Sequence, residues 1–453
     1  MTGTKRPMPR SKGRRGLLTV VMVLVAVATV ATARAATVIS ETTWGGVNSE
    51  VTNGAAVASD GSTYLAGFTN SFDPVDPLDD AFVVKFTPEG SLSWQRTFDG
   101  PAEFSLDRAN GVAVAPDGSV YAAGQTVGVG NDVLLLKFSP EGSLVWQRRW
   151  DAGGQETGEG VAVASDGSVY LTGVTDSFGG FGHLFVLRFA PDGTLVWQRI
   201  RDVATDAAVG TGQAITVAPD GSIYAAGVTP RAVVGEFDML LLKLDPQGAL
   251  AWQRTYSAAD VADARGGVAV GSDGSVYVAG GIQAVTRRTA VNDTFVAKFG
   301  ADGSPIWDRG YGGDEGDFPG GVVARADGTV LVGGESASFG AGGDDAFLLQ
   351  LDANGRGVAC NSWGGPGIDH GDDVELAPNG TIVLAGTTAS SPPFSFATCG
   401  RQTRRLRGTV GAPEVPLADA TGTLADPGGT VATPNGTSPG AGGDDAALVR
   451  IAP

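Results

Sequence analysis

The sequence predicts an all-β fold, a seven-bladed β-propeller built from four-stranded antiparallel blades. A phrase typified by GVAVAPDGSVYAAG occurs seven times at intervals of about 50 residues, and each copy is followed by a second phrase typified by DVLLLKFSPEGSLVWQR. Each pair of phrases supplies four short runs rich in β-branched and aromatic residues, which we name strands A to D. Asp-Gly, Asn-Gly or Glu-Gly turns separate the runs, as is typical of propeller blades.

The two ends of the repeat region complement each other. The seventh unit stops at Pro453, directly after its strand C, whereas a spare strand TVISETTWGG precedes the first unit. We therefore expect the N-terminal strand to serve as strand D of blade seven. This pairing closes the ring without an open sheet edge.

Residues 1–35 have the order of a secretory signal peptide. A basic segment is followed by 17 uncharged, mostly apolar residues and then by the small-x-small sequence Ala33-Arg34-Ala35. We expect cleavage there, a secreted or extracytoplasmic propeller spanning 36–453, and no membrane span afterwards. A retained anchor is the alternative, and Arg14-Arg15 leaves open whether export follows the twin-arginine or the general route.

The chain beyond the leader is strongly acidic, with 24 Lys and Arg against 49 Asp and Glu. Such a body repels phosphates, which argues against nucleic acid as a partner. It is compatible with cations, with basic partners, or with solubility alone. The chain has only two cysteines, Cys360 and Cys399. In an oxidising compartment they can form one disulfide, and two free thiols are the alternative.

Two acidic columns run through the repeats at what should be one face of the ring. One column stands four residues before each strand A phrase and contains Glu50, Asp107, Glu156, Asp263, Asp317 and Asp369, with Gly210 in blade four. The other begins strand C and contains Asp80, Asp132, Asp238, Asp293, Asp345 and Asp445, with His183 in blade three.

The acidic columns permit two interpretations. A carboxylate repeated in every blade can accept backbone N–H groups and hold its loop in place. The same carboxylates can instead form a face that binds a cationic partner or Ca²⁺. For Ca²⁺ the candidate ligands are Asp317, Asp369, Asp372 and Asp345, which lie where additional acids stand next to the columns. The remaining column members are candidates for the partner-binding face.

Two further columns of repeated residues lie within strand D. A tryptophan column is interpreted as packing between blades and contains Trp94, Trp146, Trp197, Trp252 and Trp307. An arginine lies two residues after each tryptophan. Because strand D should be the outer edge of its blade, we interpret the arginines as charges that discourage pairing between sheets.

The repeat phrases resemble the bacterial extracellular seven-bladed β-propeller repeat (SBBP repeat) and, more distantly, the NHL repeat. The resemblance covers nearly all of residues 36–453 except an insertion. It implies the propeller fold and export, and it adds little about chemistry.

The insertion, residues 389–444, separates strands B and C of blade seven. It contains Cys399, a cluster of arginines and a tract rich in Gly, Pro and Thr with little periodicity. Its composition predicts a low-complexity, mobile loop or one small hairpin followed by linker. The arginines could recruit an acidic glycan or fold back onto the acidic face.

No catalytic constellation is recognisable, and the sequence contains no GxSxG, HExxH, phosphate loop or CxxC. We therefore expect an exported, monomeric scaffold that binds a protein or a glycan through its acidic face, without a cofactor except possible Ca²⁺. Two alternatives stay open. One is an enzyme acting on a polysaccharide through carboxylates, because glycosidases need only a pair. The other is a structural surface protein without a ligand.

Overall fold

The computed structural model describes residues 37–72, 78–101, 105–127, 130–179, 182–201, 211–231, 236–258, 264–285, 290–392, 394–399, 403–406, 408–413, 415, 417–434 and 443–453. Residues 1–35, the predicted leader, lie outside these ranges. All regular structure within them is β-strand, arranged in seven antiparallel sheets. The described part contains no helix long and apolar enough to cross a membrane.

The seven sheets are the seven predicted blades, and each has its strand A on the inside. Strand A of blades 1 to 7 is β2 (Glu50–Val57), β6 (Arg108–Val114), β10 (Glu156–Val163), β14 (Thr211–Val217), β18 (Val268–Val270), β22 (Asp317–Ala324) and β26 (Asp369–Leu376). Strand B is β3 (Thr63–Thr69), β7 (Val120–Val127), β11 (Val169–Thr175), β15 (Ile223–Pro230), β19 (Val276–Val285), β23 (Val330–Ser336) and β27 (Ile382–Thr388).

Strands C and D continue each sheet outward. Strand C is β4 (Asp80–Phe86), β8 (Asn131–Phe138), β12 (His183–Phe189), β16 (Phe237–Leu244), β20 (Ala290–Phe299), β24 (Asp345–Leu351) and β34 (Asp445–Ile451). Strand D is β5 (Leu92–Asp99), β9 (Leu144–Asp151), β13 (Leu195–Arg201), β17 (Leu250–Ser257), β21 (Pro305–Tyr311), β25 (Gly357–Gly364) and, in blade 7, β1 (Val38–Trp44).

The N-terminal strand completes the last blade. β1 pairs antiparallel with β34, so that Trp44 lies opposite Ala446, and the sheet order of blade 7 is β26, β27, β34, β1. Strand A of each blade contacts strand A of the next, including β2 of blade 1 with β26 of blade 7. The seven A strands therefore surround a central channel in a closed ring.

Short turns join strands A and B because their sequence suits a tight reversal. In blade 1 the carboxylate of Asp60 accepts the backbone N–H of Ser62 at 2.8 Å, and Gly61 adopts φ +87°. A residue with a Cβ rarely adopts that conformation, which explains the Asp-Gly pair at this turn. The hydrogen bonds lower the pKa of Asp60, so the turn is strongest when this carboxylate is charged.

The tryptophan column links each blade to the next one. In blade 3 the indole N–H of Trp197 donates to the carbonyl of Pro246, in the C–D turn of blade 4, at 3.2 Å. The other four indoles make the same bond to the turn of the following blade: Trp94 to Pro140 at 3.0 Å, Trp146 to Pro191 at 3.3 Å, Trp252 to Ala301 at 3.1 Å and Trp307 to Ala353 at 3.0 Å. The column thus combines packing with a directional bond between blades.

The arginine column serves the same junctions. The Arg199 guanidinium lies 5.4 Å from the ring centroid of Trp197, and its Nε donates to the carbonyl of Gly248 in the next blade at 3.2 Å. Arg148 and Arg254 repeat this arrangement. Our interpretation of these arginines as charges on an outer edge was wrong, because another strand lies outside strand D in these blades.

That outer strand comes from the insertion within blade 7. The described residues of the range 395–434, which we call the belt, pass around the ring in the direction opposite to the blade order. The belt gives one short outermost strand to each of blades 6 to 1: β28 (Ser395–Thr398), β29 (Thr403–Arg404), β30 (Thr409–Gly411), β31 (Leu417–Asp419), β32 (Thr423–Ala425) and β33 (Thr430–Ala432). The belt therefore covers six sheet edges that would otherwise present unpaired backbone groups.

Side chains of strand D anchor the belt in addition to this pairing. In blades 1 to 4 a glutamine follows the tryptophan of the column and donates its amide to the belt. The bonds run from Gln253 to the carbonyl of Val415 at 2.6 Å, from Gln198 to that of Gly422 at 3.4 Å, from Gln147 to the carboxylate of Asp426 at 2.7 Å and from Gln95 to the carbonyl of Pro434 at 2.5 Å. Gly422 lies against Trp150, where a Cβ would come within 2.2 Å of the indole. These contacts recur about every seven belt residues, which is the step from one blade to the next.

The expectation of a low-complexity loop over 389–444 thus differs from the structure in its described part. Composition predicted a loop because the strands are only two to four residues long and carry little apolar pattern. They form because a ready-made edge strand supplies the partner for their backbone groups. Cys360 of β25 and Cys399 form a disulfide with their Cα atoms 5.3 Å apart, which fastens the beginning of the belt to blade 6.

Replacing both cysteines, Cys360→Ser with Cys399→Ser, should lower the free energy of unfolding. The disulfide closes a loop of 39 residues, and the chain-entropy model gives about 3–4 kcal/mol for such a loop. Urea unfolding of both proteins with and without a thiol reductant measures the difference. Reductant should bring the wild type to the level of the variant and leave the variant unchanged; a wild type insensitive to complete reduction would contradict the prediction.

Candidate functional site

The acidic column at the start of strand A lies inside the fold. Asp369 is fully buried and accepts the N–H of Gly365 at 2.7 Å and the hydroxyls of Ser390, at 2.8 Å, and Thr388. Equivalent bonds from a residue four positions upstream and from Ser or Thr of strand B surround Glu50, Glu156 and Asp317. Asp107 is equally buried and accepts the N–H of Gly100. These carboxylates hold the D–A loops in place.

The acidic column at the start of strand C lies beside the A column of the following blade. The N–H of Glu50 donates to the carbonyl of Asp444 at 2.7 Å, and the N–H of Asp369 donates to the carbonyl of Asp344 at the same distance. Because Asp445 and Asp345 follow these carbonyls directly, each of these two junctions brings one acid from each column together. Asp80, Asp132, Asp293 and Asp345 are buried, whereas Asp238 and Asp445 are partly exposed.

The predicted partner-binding face requires accessible carboxylates, and most of the column members lie within the junctions between blades. Asp263 lies outside the described residues. The four predicted Ca²⁺ ligands do not form one group: Asp345 and Asp369 share the junction of blades 6 and 7, Asp317 belongs to the preceding junction, and Asp372 points to the channel cavity described below. Ca²⁺ binding stays a prediction.

One junction has a third carboxylate. Oxygen atoms of Asp132, Asp151 and Glu156 lie within 4.8 Å of one another between blades 2 and 3. A guanidinium nitrogen of Arg149 lies 3.2 Å from Asp132 and balances part of this charge. Burial raises the pKa of Asp132 to about 6, while Arg149 lowers it.

A ring of polar side chains lines the channel because the A strands contain a β-bulge at one fixed position. The bulged residues are Asn53, Asn110, Glu159, Gln213, Gly320 and Asp372. A bulge redirects the extra residue out of the ladder. The amides link neighbouring A strands: Asn53 donates to the carbonyl of Ala109 at 3.0 Å, and Asn110 to that of Gly158 at 2.9 Å.

Blade 7 brings an unusual number of acids into the channel. Asp372, Asp373 and Glu375 all lie on β26, and Asp373 stands where the other A strands have Gly or Ala. Asp373 accepts the N–H of Ala55 at 2.9 Å and so joins blade 7 to blade 1. Burial raises the pKa of Asp372 and Glu375 to about 8 and that of Asp373 to about 7, and neighbouring carboxylates add to the shifts of Asp372 and Glu375.

A cavity of about 310 Å³ opens at the mouth of the channel among blades 5, 6, 7 and 1. Its lining includes Arg265, Glu335, Asp372, Asn53 and Phe318. There is room for it because blade 6 has Gly320, without a side chain, at the bulge position. We call this cavity with its lining the channel-mouth site.

Charged groups converge on the channel-mouth site. Nδ1 of His370 lies 3.1 Å from Oε2 of Glu335, and both side chains are partly exposed. Burial raises the pKa of Glu335, which His370 and Arg265 oppose. Asp372 accepts the hydroxyl of Thr387 at 3.0 Å. The site thus combines a guanidinium, an imidazole paired with a carboxylate, and a carboxyl group that is mostly protonated at neutral pH.

Sequence reasoning did not find Arg265 and Glu335. Both residues depart from the repeat. At the position of Glu335, the residues of the other blades are Phe68, Gln125, Val174, Val228, Gly281 and Thr387. A search for departures from the repeat, rather than for residues shared by all blades, would have found them.

A larger cavity, about 500 Å³, lies at the outer rim between the belt and blades 4 and 5. Tyr256, Trp307 and Leu406 line it, and its Tyr256 hydroxyl already donates to Asp308 at 3.4 Å. Lys298, Asp308 and Arg405 also line this cavity, but most of its lining is apolar, whereas half of the residues that line the smaller channel-mouth site are polar or charged. For this reason we take the channel-mouth site as the candidate functional site.

Comparison with known proteins agrees with the fold. Residues 164–195 and 325–356 match a β-propeller domain of unknown function, DUF5122, and these segments cover the B and C strands of blades 3 and 6. The regulatory protein FlaEY of Caulobacter vibrioides is 28% identical over 200 residues, 37% of this chain. The match spans only 21% of the length of that protein.

The solved structures that match are distant from this chain both in sequence and in structure. An ulvan lyase bound to an ulvan fragment is 10% identical with a TM-score of 0.42, covering 82% of this chain and 98% of the lyase. A protein of unknown function from Dyadobacter fermentans is 12% identical with a TM-score of 0.41, covering 72% and 98%. The apocarotenoid oxygenase of Synechocystis is 12% identical with a TM-score of 0.39, covering 86% and 96%.

The channel acids predict a stability that falls as the pH rises. A carboxyl group whose pKa is higher in the folded than in the unfolded protein binds more protons when folded, so it disfavours folding progressively from about pH 4 up to its folded pKa. For Glu375 that window ends at about pH 8. Denaturant unfolding of the wild type and Glu375→Gln at intervals from pH 4.5 to 8.5 should show a shallower decline in the variant. If the free energy of unfolding fell with pH equally in the two proteins, the attribution of part of this decline to Glu375 would be contradicted.

Proposed function

We propose that the chain is an exported binding propeller of the SBBP-repeat type, which takes one end of a glycan at the channel-mouth site. The observation that carries the proposal is the convergence of Arg265, Glu335 and Asp372 on one cavity of about 310 Å³. That volume lies within the range of small-molecule sites, which typically present a few fixed polar groups. The export of the chain is part of the proposal and rests on the sequence of residues 1–35.

The polar groups of the site suit hydroxyl-rich ligands. A sugar hydroxyl both donates and accepts hydrogen bonds, and here donors and acceptors lie side by side. Arg265 only donates, Glu335 accepts in its ionised form, and Asp372 both donates and accepts in its protonated form. Because burial raises the pKa of Asp372 to about 8, its proton is retained at neutral pH. Phe318 adds an aromatic surface for the C–H groups of a sugar ring.

Arg265 is the residue most suited to select among glycans. It is exposed at the cavity, and a guanidinium binds a carboxylate or sulfate by two parallel hydrogen bonds. An acidic sugar is therefore favoured over a neutral one at this position. Because the rest of the chain is strongly acidic, it repels ligands that carry several anionic groups. We therefore expect a ligand that places a single anionic group against Arg265.

Calorimetric titration of the mature chain with neutral and uronic-acid oligosaccharides tests the proposal. Arg265→Ala and Glu335→Gln should each weaken binding about ten- to a hundredfold, as expected for loss of a hydrogen bond to a charged group. Arg356→Ala, which removes an exposed arginine of a C–D turn away from the channel, is the matched control and should leave binding unchanged. Absence of binding by the wild type, or equal affinities in all variants, would contradict the proposal.

An enzyme acting on a polysaccharide is the second candidate, favoured by one observation. A carboxyl group with its pKa raised to about 8 beside a second carboxyl paired with a histidine can serve as general acid and base. Release of new reducing ends or unsaturated products in the same mixtures, lost in Asp372→Asn while binding persists, would favour the enzyme. Binding without products favours the binding module.

A further inference from the structure

The two junctions on either side of blade 7 share a sequence that occurs only there. The heptapeptide GAGGDDA stands at 340–346 and again at 440–446. Its second aspartate is the C-column acid, Asp345 in blade 6 and Asp445 in blade 7. The first, Asp344 or Asp444, is half-buried and supplies the backbone carbonyl that binds the A strand of the next blade.

At the junction of blades 7 and 1, two carboxylate oxygens converge on a glycine. Oδ1 of Asp445 and Oε2 of Glu50 lie 2.1 Å and 2.2 Å from the point where a Cβ of Gly45 would stand. Any side chain at Gly45 would therefore collide with both. The two oxygens are also close enough to each other to contact a single cation, since Ca²⁺ lies 2.3–2.6 Å from its oxygen ligands.

The junction of blades 6 and 7 repeats this geometry. Oδ1 of Asp345 and Oδ2 of Asp369 lie 1.9 Å and 2.7 Å from the position of a Cβ on Gly364. Asp293 and Asp317 flank Gly312 in a similar way one junction earlier, without the GAGGDDA sequence.

Each of the two junctions contains a carboxylate oxygen that has no donor in the described structure. Asp345 is 1% exposed, and its Oδ2 accepts the N–H of Ala341 at 2.7 Å, but its Oδ1 has no hydrogen-bond partner. Oδ1 of Asp445 is also buried and has no hydrogen-bond partner in the described structure. A buried, unpaired carboxylate oxygen is costly, so a positive ligand there would be strongly favoured.

Three other junctions obtain positive charge from the chain itself. Between blades 4 and 5 the guanidinium of Arg231 contacts Asp238. Between blades 2 and 3 Arg149 approaches Asp132. Between blades 3 and 4 buried Arg201 stands at the position of Trp363 and donates to Thr229 at 3.1 Å, and the C-column acid is replaced by His183. In the described residues at the two junctions flanking blade 7, no Lys, Arg or His forms an ion pair with these acids.

We propose that the junctions flanking blade 7 each bind one Ca²⁺ ion. Asp345 and Asp369 would provide the carboxylates of one site, and Asp445 and Glu50 those of the other, with water completing the six to eight oxygen ligands that Ca²⁺ takes. The ions hold blade 7 to both of its neighbours. Because blade 7 is assembled from the two chain ends, Ca²⁺ binding then stabilises closure of the ring, a role separate from ligand binding at the channel mouth.

Thermal unfolding of the mature chain in EGTA and in 1 mM free Ca²⁺, together with calorimetric titration by CaCl₂, tests this proposal. The midpoint should rise by about 5 °C when both sites are saturated. Asp345→Asn and Asp445→Asn should each remove one bound ion and about half of the shift, and the double variant should lose the whole contribution of these sites. Both variants should fold in EGTA, since they remove a buried charge.

Asp238→Asn is the matched control, because it changes the same column where Arg231 already provides the charge. It should retain the full Ca²⁺ shift and stoichiometry. A wild type whose midpoint and titration do not respond to Ca²⁺ would overturn the proposal, and so would a response of unchanged size and stoichiometry in the double variant. Neither outcome bears on glycan binding, which is measured with its own ligands and variants.

Discussion

The structure depends on the bond between each tryptophan indole and the C–D turn of the next blade. A blade alone has two apolar faces, and only a neighbour on each side can cover them. Hydrophobic packing does not fix how far one blade is rotated against the next. An indole such as Trp197, packed against Tyr170 and donating to the Pro246 carbonyl, sets that distance and angle. Repetition of the same contact at five of the seven junctions gives these blades the same step around the ring.

The regions where this bond is missing use different contacts. Blade 6 has Ala359 in place of the tryptophan, and its junction with blade 7 keeps the indole bond of the second aromatic position: Trp363 donates to Glu41 of β1 at 2.8 Å, as Trp150 does to Gln198 between blades 2 and 3. Blade 7 reaches blade 1 through Arg450, which donates to the Thr87 carbonyl at 2.8 Å. The disulfide, the start of the belt and the paired carboxylates without an arginine lie in the same part of the ring. The contacts that depart from the repeat are therefore concentrated where the two chain ends close the ring.

The sequence predicted what the repeat encodes and missed what departs from it. The seven-bladed fold followed from phrases in which turn residues and strand patterns agree. The belt was missed because strands such as β32 have no apolar pattern of their own and depend on an existing sheet edge. The acidic columns were predicted as one face of the ring, whereas the burial of Asp369 and its partners at the junctions depends on the neighbouring blade. Arg265 and Glu335 meet only because Gly320 leaves space in the channel, which no local pattern indicates.

The most direct test of the central role of the indole bond is denaturant unfolding of Trp197→Phe. Phenylalanine keeps an aromatic ring against Tyr170 and removes the N–H that binds Pro246. If this bond sets the step between blades, the free energy of unfolding should fall by about 1–2 kcal/mol in a single transition, and Trp252→Phe should give a similar loss because its environment is the same. A loss below about 0.5 kcal/mol at both positions, the range of ordinary surface substitutions, would contradict the account.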